Sequence, residues 1–204
     1  MPAYLSILET LNQFDWWLFK KINSQWTNPV FDFLFPFLRE AYFWMPLYLF
    51  IFLFIGFNYK KNNWWWIILF LCTVAITDLT GTQIFKQEFQ RIRPCNDLHF
   101  MDQVRLLIKR CGSGYSFISN HAANHFGMAT FLFLTLPHFF KRWLWLVFAW
   151  AALITYAQVY VGIHYPLDGI CGAVWGMAIG LFTSAVFNKK FGFTNFDKQP
   201  TVTP

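Results

Sequence analysis

Three short stretches carry residue types that could act on a phosphate if the fold brought them together. In VYVGIHYPLDG, residues 159–169, His164 and Asp168 stand four positions apart with Pro166 between them. An imidazole backed by a carboxylate is an oriented nucleophile or base. In Ile118-Ser119-Asn120-His121 a second imidazole follows a hydroxyl at the start of an apolar run. A helix opening there would present free N–H groups and a dipole that favours an anion. In Lys86-QEFQRI-Arg93-Pro94 two cations are separated by six residues. Arginine holds phosphate through a planar fork and lysine as a point charge. Singly, each stretch reads equally well as a turn or a helix end, so the three matter only in combination.

Such residues need elements to carry them. The 204-residue chain is 56% hydrophobic and 13% charged, about half the charged share of an ordinary soluble domain. Its apolar residues fall into long runs broken by short polar clusters, which fits a bilayer better than one large soluble core. Five runs approach the ~20 residues that cross hydrocarbon: 41–58, 63–84, 119–138, 143–163 and 167–187. Ahead of them, residues 5–22 put Leu5, Leu8, Leu11, Phe14 and Leu18 on one helical face, as in a helix lying in the interface. Asn28-Pro29 reads as the cap and first turn of a short helix over 29–40. The expected fold is all-α, a polytopic membrane helix bundle of about five transmembrane helices plus an N-terminal interfacial helix. It forms a single domain over 1–204: an interfacial segment 1–40, a bundle 41–187 holding the polar loop 85–118, and a cytoplasmic tail 188–204. No signal peptide is expected, because Glu9, Asp15, Lys20 and Lys21 interrupt the first segment.

Alternation of five spans places the three stretches. Loop 85–118, the start of the third span and the turn between the fourth and fifth all emerge on one side. The pairs Lys60-Lys61, Lys141-Arg142 and Lys189-Lys190 emerge on the other and mark it as cytoplasmic. Cations flanking spans in this way account for the net charge of +6 without a nucleic-acid partner. The six cations of the loop (Lys86, Arg91, Arg93, Arg105, Lys109 and Arg110) count the opposite way, and are read as belonging to a site. That site is expected on the periplasmic or outer face of a cell inner membrane.

In this order and on one face, K-x6-RP, Ser-x-His and G-x-H-x3-D resemble the motifs of the type 2 phosphatidic acid phosphatase family of membrane lipid phosphatases, over roughly residues 41–187. The resemblance implies hydrolysis of a phosphomonoester or diphosphate in two steps, with no metal and no other cofactor. His164 would attack phosphorus to give a phosphohistidine, Asp168 would orient its imidazole, and His121 would protonate the leaving oxygen and then activate water. Lys86, Arg93 and Ser119 would hold the phosphate oxygens, with Asn120 and Gln158 beside them. The partner implied is a membrane lipid phosphate: undecaprenyl diphosphate first, then phosphatidate, phosphatidylglycerol phosphate or lipid A phosphates. Two positions depart from the family pattern. Pro-Ser-Gly-His is Ile118-Ser119-Asn120-His121 here, and the Ser-Arg that usually precedes the third element is Ala157-Gln158. The second change removes a phosphate-binding arginine. Gln158 can still donate through its amide, and Arg91, Arg105, Lys109 or Arg110 could restore the charge. A lapsed enzyme that only binds phospholipid headgroups is the rival reading.

Other residues divide between site and scaffold. His121 and His125 are four apart and suit a metal, although nearby Lys and Arg would repel one. Asp78, inside the second span, must face protein or the site, with a Thr or Asn as partner. Gly172, Gly176 and Gly180 allow close helix contact, within the chain first and in a homodimer second. Cys95 and Cys111 flank the tip of the polar loop and could pair if that face is periplasmic, or remain free thiols. Cys72 and Cys171 read as buried thiols.

Overall fold

The cap expected at Asn28 is present in the computed structural model, which describes residues 3–59, 61–136 and 141–193, leaving out the side chains of 3–8 and 141–142. Leu5, Leu8, Lys60, the Lys141-Arg142 side chains and residues 194–204 of the expected tail therefore lie outside the described residues. Asn28 Oδ1 accepts the Phe31 N–H at 3.0 Å, and Pro29 opens the helix with its fixed φ.

The order is α1 (Ala3–Lys20), a wide turn Lys21–Gln25, α2 (Pro29–Leu38), a 3-10 turn Ala41–Trp44, and α3 (Met45–Asn58). Then come α4 (Asn63–Thr80), a wide turn Gly81–Phe85, α5 (Lys86–Phe89), the polar loop, α6 (Asn120–Thr135), α7 (Lys141–Tyr160) and α8 (Pro166–Lys190). No strand occurs among the described residues.

Among the described residues, four helical stretches are long and apolar enough to cross a membrane: Ala41–Asn58, Asn63–Phe89, Trp143–Tyr160 and Pro166–Lys190. The third expected run becomes α6, which has 16 residues and carries His121, Asn124, His125 and Thr130. It packs against α4, α7 and α8 and is buried along most of its length, so protein rather than lipid meets its polar side chains. The second run continues to Phe89 and delivers Lys86 from the end of the same helical stretch.

The glycine stripe is the contact between α8 and α6. A Cβ on Gly176 would fall 2.1 Å from the Ala123 carbonyl oxygen, and one on Gly172 would fall 2.6 Å from that of Ser119. Only hydrogen fits at such a backbone-to-backbone approach. One core cluster (Phe19, Ile22, Phe35, Tyr160, Ile163 and Tyr165) lies beneath the α7–α8 turn. A second (Ile55, Trp66, Phe70, Phe131 and Phe187) holds the other end of the bundle. On α1, Leu11 and Phe14 are exposed as expected of a membrane-facing side. Another side buries Phe19 and also Asp15. Cys95 and Cys111 are joined by a disulfide, while Cys72 and Cys171 are free and half-buried.

Candidate active site

The turn between α7 and α8 is shaped by what each residue in it must do. Gly162 has φ +93°, a left-handed conformation, and a Cβ there would lie 2.9 Å from Val104 Cγ1. The bend returns the chain so that His164 faces back over the bundle, and Pro166 then opens α8. Asp168 lies in the first turn, where its Oδ2 accepts the Tyr165 N–H at 2.9 Å. That same oxygen stands 3.4 Å from His164 Nδ1. The three-position step from Tyr165 to Asp168 is thus a helix-capping distance, and the capping carboxylate doubles as the partner of the preceding His164 imidazole.

The hydrogen-bond partners assign the tautomer. Arg93 Nη1 lies 3.2 Å from His164 Nε2 and also donates to the Ile163 carbonyl at 3.2 Å. A guanidinium has only donors, so Nε2 is the accepting nitrogen and the proton sits on Nδ1, facing Asp168. Burial pulls the His164 pKa down to about 4, with Arg93 and Lys86 adding to the shift and Asp168 opposing it. The ring is therefore neutral near pH 7, with its Nε2 lone pair directed at Arg93.

Asp168 is fixed from its far side. Arg91 donates to Asp168 Oδ1 at 2.8 Å and to Asp15 Oδ2 at 2.5 Å, and its guanidinium lies 4.0 Å from the Tyr165 ring centroid. Burial works against the Arg91 charge, but the two carboxylates outweigh it and its pKa rises. Asp15 Oδ1 accepts the Leu167 N–H at 2.8 Å, so α1 is clipped directly to the first turn of α8.

The start of α6 is tied to the same place. The Ser119 N–H donates to the Asp168 carbonyl at 3.0 Å, and Ser119 Oγ caps α6 by accepting from Ala122 N–H at 3.4 Å. Asn120 donates to Asp78 Oδ1 at 2.9 Å and to Thr82 Oγ1 at 2.7 Å, which supplies the amide partner expected for Asp78. His121 and His125 stack with centroids 6.4 Å apart. The His125 Nδ1–H donates to the His121 carbonyl at 2.7 Å, and its Nε2 faces the Tyr48 hydroxyl at 3.2 Å. Among the described residues no three His, Cys, Asp or Glu side chains gather as a metal set.

These groups surround a cavity of about 810 Å³. Lys86, Arg93, Asn120, His121 and His164 line it, as do Lys109, Arg110, Asp78, Arg39 and Glu40. Asp168 stands behind His164. Two expected phosphate contacts are not on the wall. Ser119 is buried and serves the α6 cap, and Gln158 is buried with its amide turned to Arg39. Of the cations offered in place of the missing arginine, Arg91 is held by its two carboxylates. Arg105 is paired with Asp32 at 2.7 Å, over the Tyr160 ring. Sequence reasoning missed Asp15 and Arg39. In the sequence Asp15 stood only as one of two carboxylates, with Glu9, on the N-terminal helix, and Arg39 gave no signal.

Residues 63–191 match the PAP2 superfamily. The chain is 32% identical over 117 residues to a lipid A 4'-phosphatase of Porphyromonas gingivalis, covering 57% of this chain and 49% of that protein, so it spans about half the length of that relative. It is 30% identical over 170 residues to an undecaprenyl-diphosphatase of Sulfolobus acidocaldarius, covering 81% of this chain and 75% of that one. Among solved structures it is similar to Aquifex aeolicus LpxE, with a TM-score of 0.59 and 27% identity over 81% of this chain and 92% of that one.

Proposed function

The chain belongs to the PAP2 superfamily, and from that premise we propose that it hydrolyses the phosphate headgroup of a membrane lipid through a phosphohistidine on His164. The observation that carries this is the placement of His164, with Nδ1 against Asp168 and Nε2 at the cavity beside Arg93.

The steps follow from the atoms. A phosphate entering the cavity draws Arg93 and Lys86 onto its oxygens, which frees the Nε2 lone pair from Arg93. Nε2 attacks phosphorus as the bond to the leaving oxygen breaks, and His121 gives that oxygen its proton. Positive charge develops on the His164 ring, where Asp168 stabilises it through Nδ1–H. Arg93 and Lys86 stabilise the charge on the phosphoryl oxygens. In the second step His121 takes a proton from water, the water oxygen attacks phosphorus, and the N–P bond breaks to release inorganic phosphate; the leaving group of the first step is the lipid alcohol from a monoester and the lipid monophosphate from a diphosphate. The cations on the cavity wall stand where a metal would otherwise neutralise the phosphate, which supports a metal-independent route.

The names of the relatives make a glycolipid phosphomonoester and a polyprenyl diphosphate the candidate substrates. Lys189 and Lys190 close the far end of α8 from the site, which supports placing the cavity on the periplasmic face of an inner membrane. The test is phosphate release by the purified protein from lipid A phosphates, undecaprenyl diphosphate and phosphatidate in EDTA, beside His164→Ala. Release that persists in EDTA and disappears in the variant is expected. No release from any substrate would favour a headgroup binder, and loss in EDTA alone would favour a metal enzyme.

A further inference from the structure

Gln158 is fully buried, and both ends of its amide are engaged with one residue 119 positions away. Its Oε1 accepts the Arg39 Nε–H at 3.3 Å, and its Nε2 donates to the Arg39 carbonyl at 3.4 Å. Arg39 ends α2, where its N–H donates to the Phe35 carbonyl at 3.2 Å. The side chain is only 12% exposed and lines the cavity with Lys86, Arg93, His121 and His164. Its Nη1 is paired with Glu40, which lines the same cavity and is more exposed.

We propose that Arg39 binds the substrate phosphate in this cavity and that Gln158 is the positioning residue that holds its guanidinium there. The proposal rests on the phosphate-transfer reading of the site and adds to it a residue from outside the family-matched region 63–191. The geometry gives the amide a definite task. With Nε held by Gln158, rotation about the end of the Arg39 side chain is restrained while the Nη groups are left to the cavity. Glu40 serves as an exchangeable counter-ion, and a doubly charged phosphate competes well for a bidentate donor. Like charges also converge here. The Arg39 charge opposes that of Arg93, which is itself held below its usual pKa chiefly by burial. Cations gathered in a partly buried cavity become mutually stabilising only when an anion lies between them. The alternatives are less suited: Arg91 and Arg105 are paired elsewhere, and Lys109 and Arg110 are exposed, where solvent weakens a charge pair.

The experiment uses the full chain in detergent, with hydrolysis of dioleoyl phosphatidate, lipid A phosphate or undecaprenyl diphosphate as one readout and binding of orthovanadate by calorimetry as the other. Arg39→Ala is expected to lower kcat/KM by about 10²-fold and to weaken vanadate binding. Added guanidinium chloride, well below denaturing concentration, should restore part of the activity in Arg39→Ala and none in wild type. Gln158→Arg placed on Arg39→Ala should recover much of the loss, because it brings a guanidinium to the same contact from the α7 side. Gln158→Leu alone should raise KM more than it lowers kcat. Wild-type kcat/KM and vanadate affinity in Arg39→Ala would overturn the assignment. So would a loss that accompanies a lowered melting temperature and responds to neither guanidinium nor Gln158→Arg. A wild-type chain that binds vanadate through Arg39 but releases no phosphate would sink the hydrolase reading and leave Arg39 in place.

Discussion

Two neighbours and its burial set the state of the His164 ring, and each makes a different demand on it. Asp168 fixes the proton on Nδ1, Arg93 covers the lone pair on Nε2, and burial keeps the ring neutral. An unfolded histidine titrates near 6.5 and this one at about 4, so across that window the unfolded chain holds the extra proton. The folded ring is neutral above the window, and its contribution to stability is lost as pH falls from 6.5 towards 4. Nitrogen NMR of ¹⁵N-histidine-labelled protein, assigned with His164→Gln, should show a neutral Nδ1–H tautomer from pH 8 down to pH 5. A midpoint near the free-histidine value would contradict the description of the pocket. That His164, His121, Lys86 and Arg93 gather at one cavity, with Asp168 behind, was legible in the sequence because each stretch is local: a turn before a helix, a helix start and a helix end. Arg39 was not legible, because its role depends on α2 docking against α7 across 119 residues and on a glutamine where a charge was expected.

At the scale of elements, the helices followed from the apolar runs, but the purpose of two of them did not. The third run was long enough to read as a span, and α6 is the helix the others enclose, which is why it tolerates two histidines and two asparagines. The N-terminal helix was read as an amphipathic float, and its exposed Leu11 and Phe14 agree with that. Its buried side does more, because Asp15 grips both Arg91 and the Leu167 N–H. Hydrophobic periodicity alone cannot reveal such a contact, since the information lies in the loop residue that Asp15 meets. Asp15→Ala should destabilise the protein by about 2 kcal/mol, the scale of a lost charge-assisted hydrogen bond. It should also lower kcat with little change in KM, because the substrate-facing cations are untouched while the support of Asp168 is loosened. Melting curves and steady-state kinetics check this, and an unchanged kcat would confine α1 to anchoring.

As a whole molecule the chain is polarised along the bundle, with the polar cavity at one end and an aromatic core around Trp66 and Phe131 at the other. The loop that supplies Arg91 and Arg93 is closed by Cys95–Cys111, 16 residues apart. A loop of this length constrains the unfolded chain by about 3 kcal/mol. Cys95→Ser with Cys111→Ser should lower stability on that scale, and a thiol-reactive gel-shift tag should label the native protein at these positions only after reduction. Labelling before reduction would show that the face is not an oxidising one. The alternation of spans placed all three chemical stretches on one face, and the Ser119–Asp168 backbone bond is where that geometry is realised.

On the proposed route phosphorus passes through His164. Reaction with ³³P-labelled lipid phosphate, quenched in alkali and mapped by peptide, should yield a phosphoryl group stable to base and labile to acid on the peptide carrying His164. It should be absent from His164→Ala and more abundant in His121→Ala, where the second step lacks its base. Turnover with no such adduct, or an adduct on any other residue, would contradict the account.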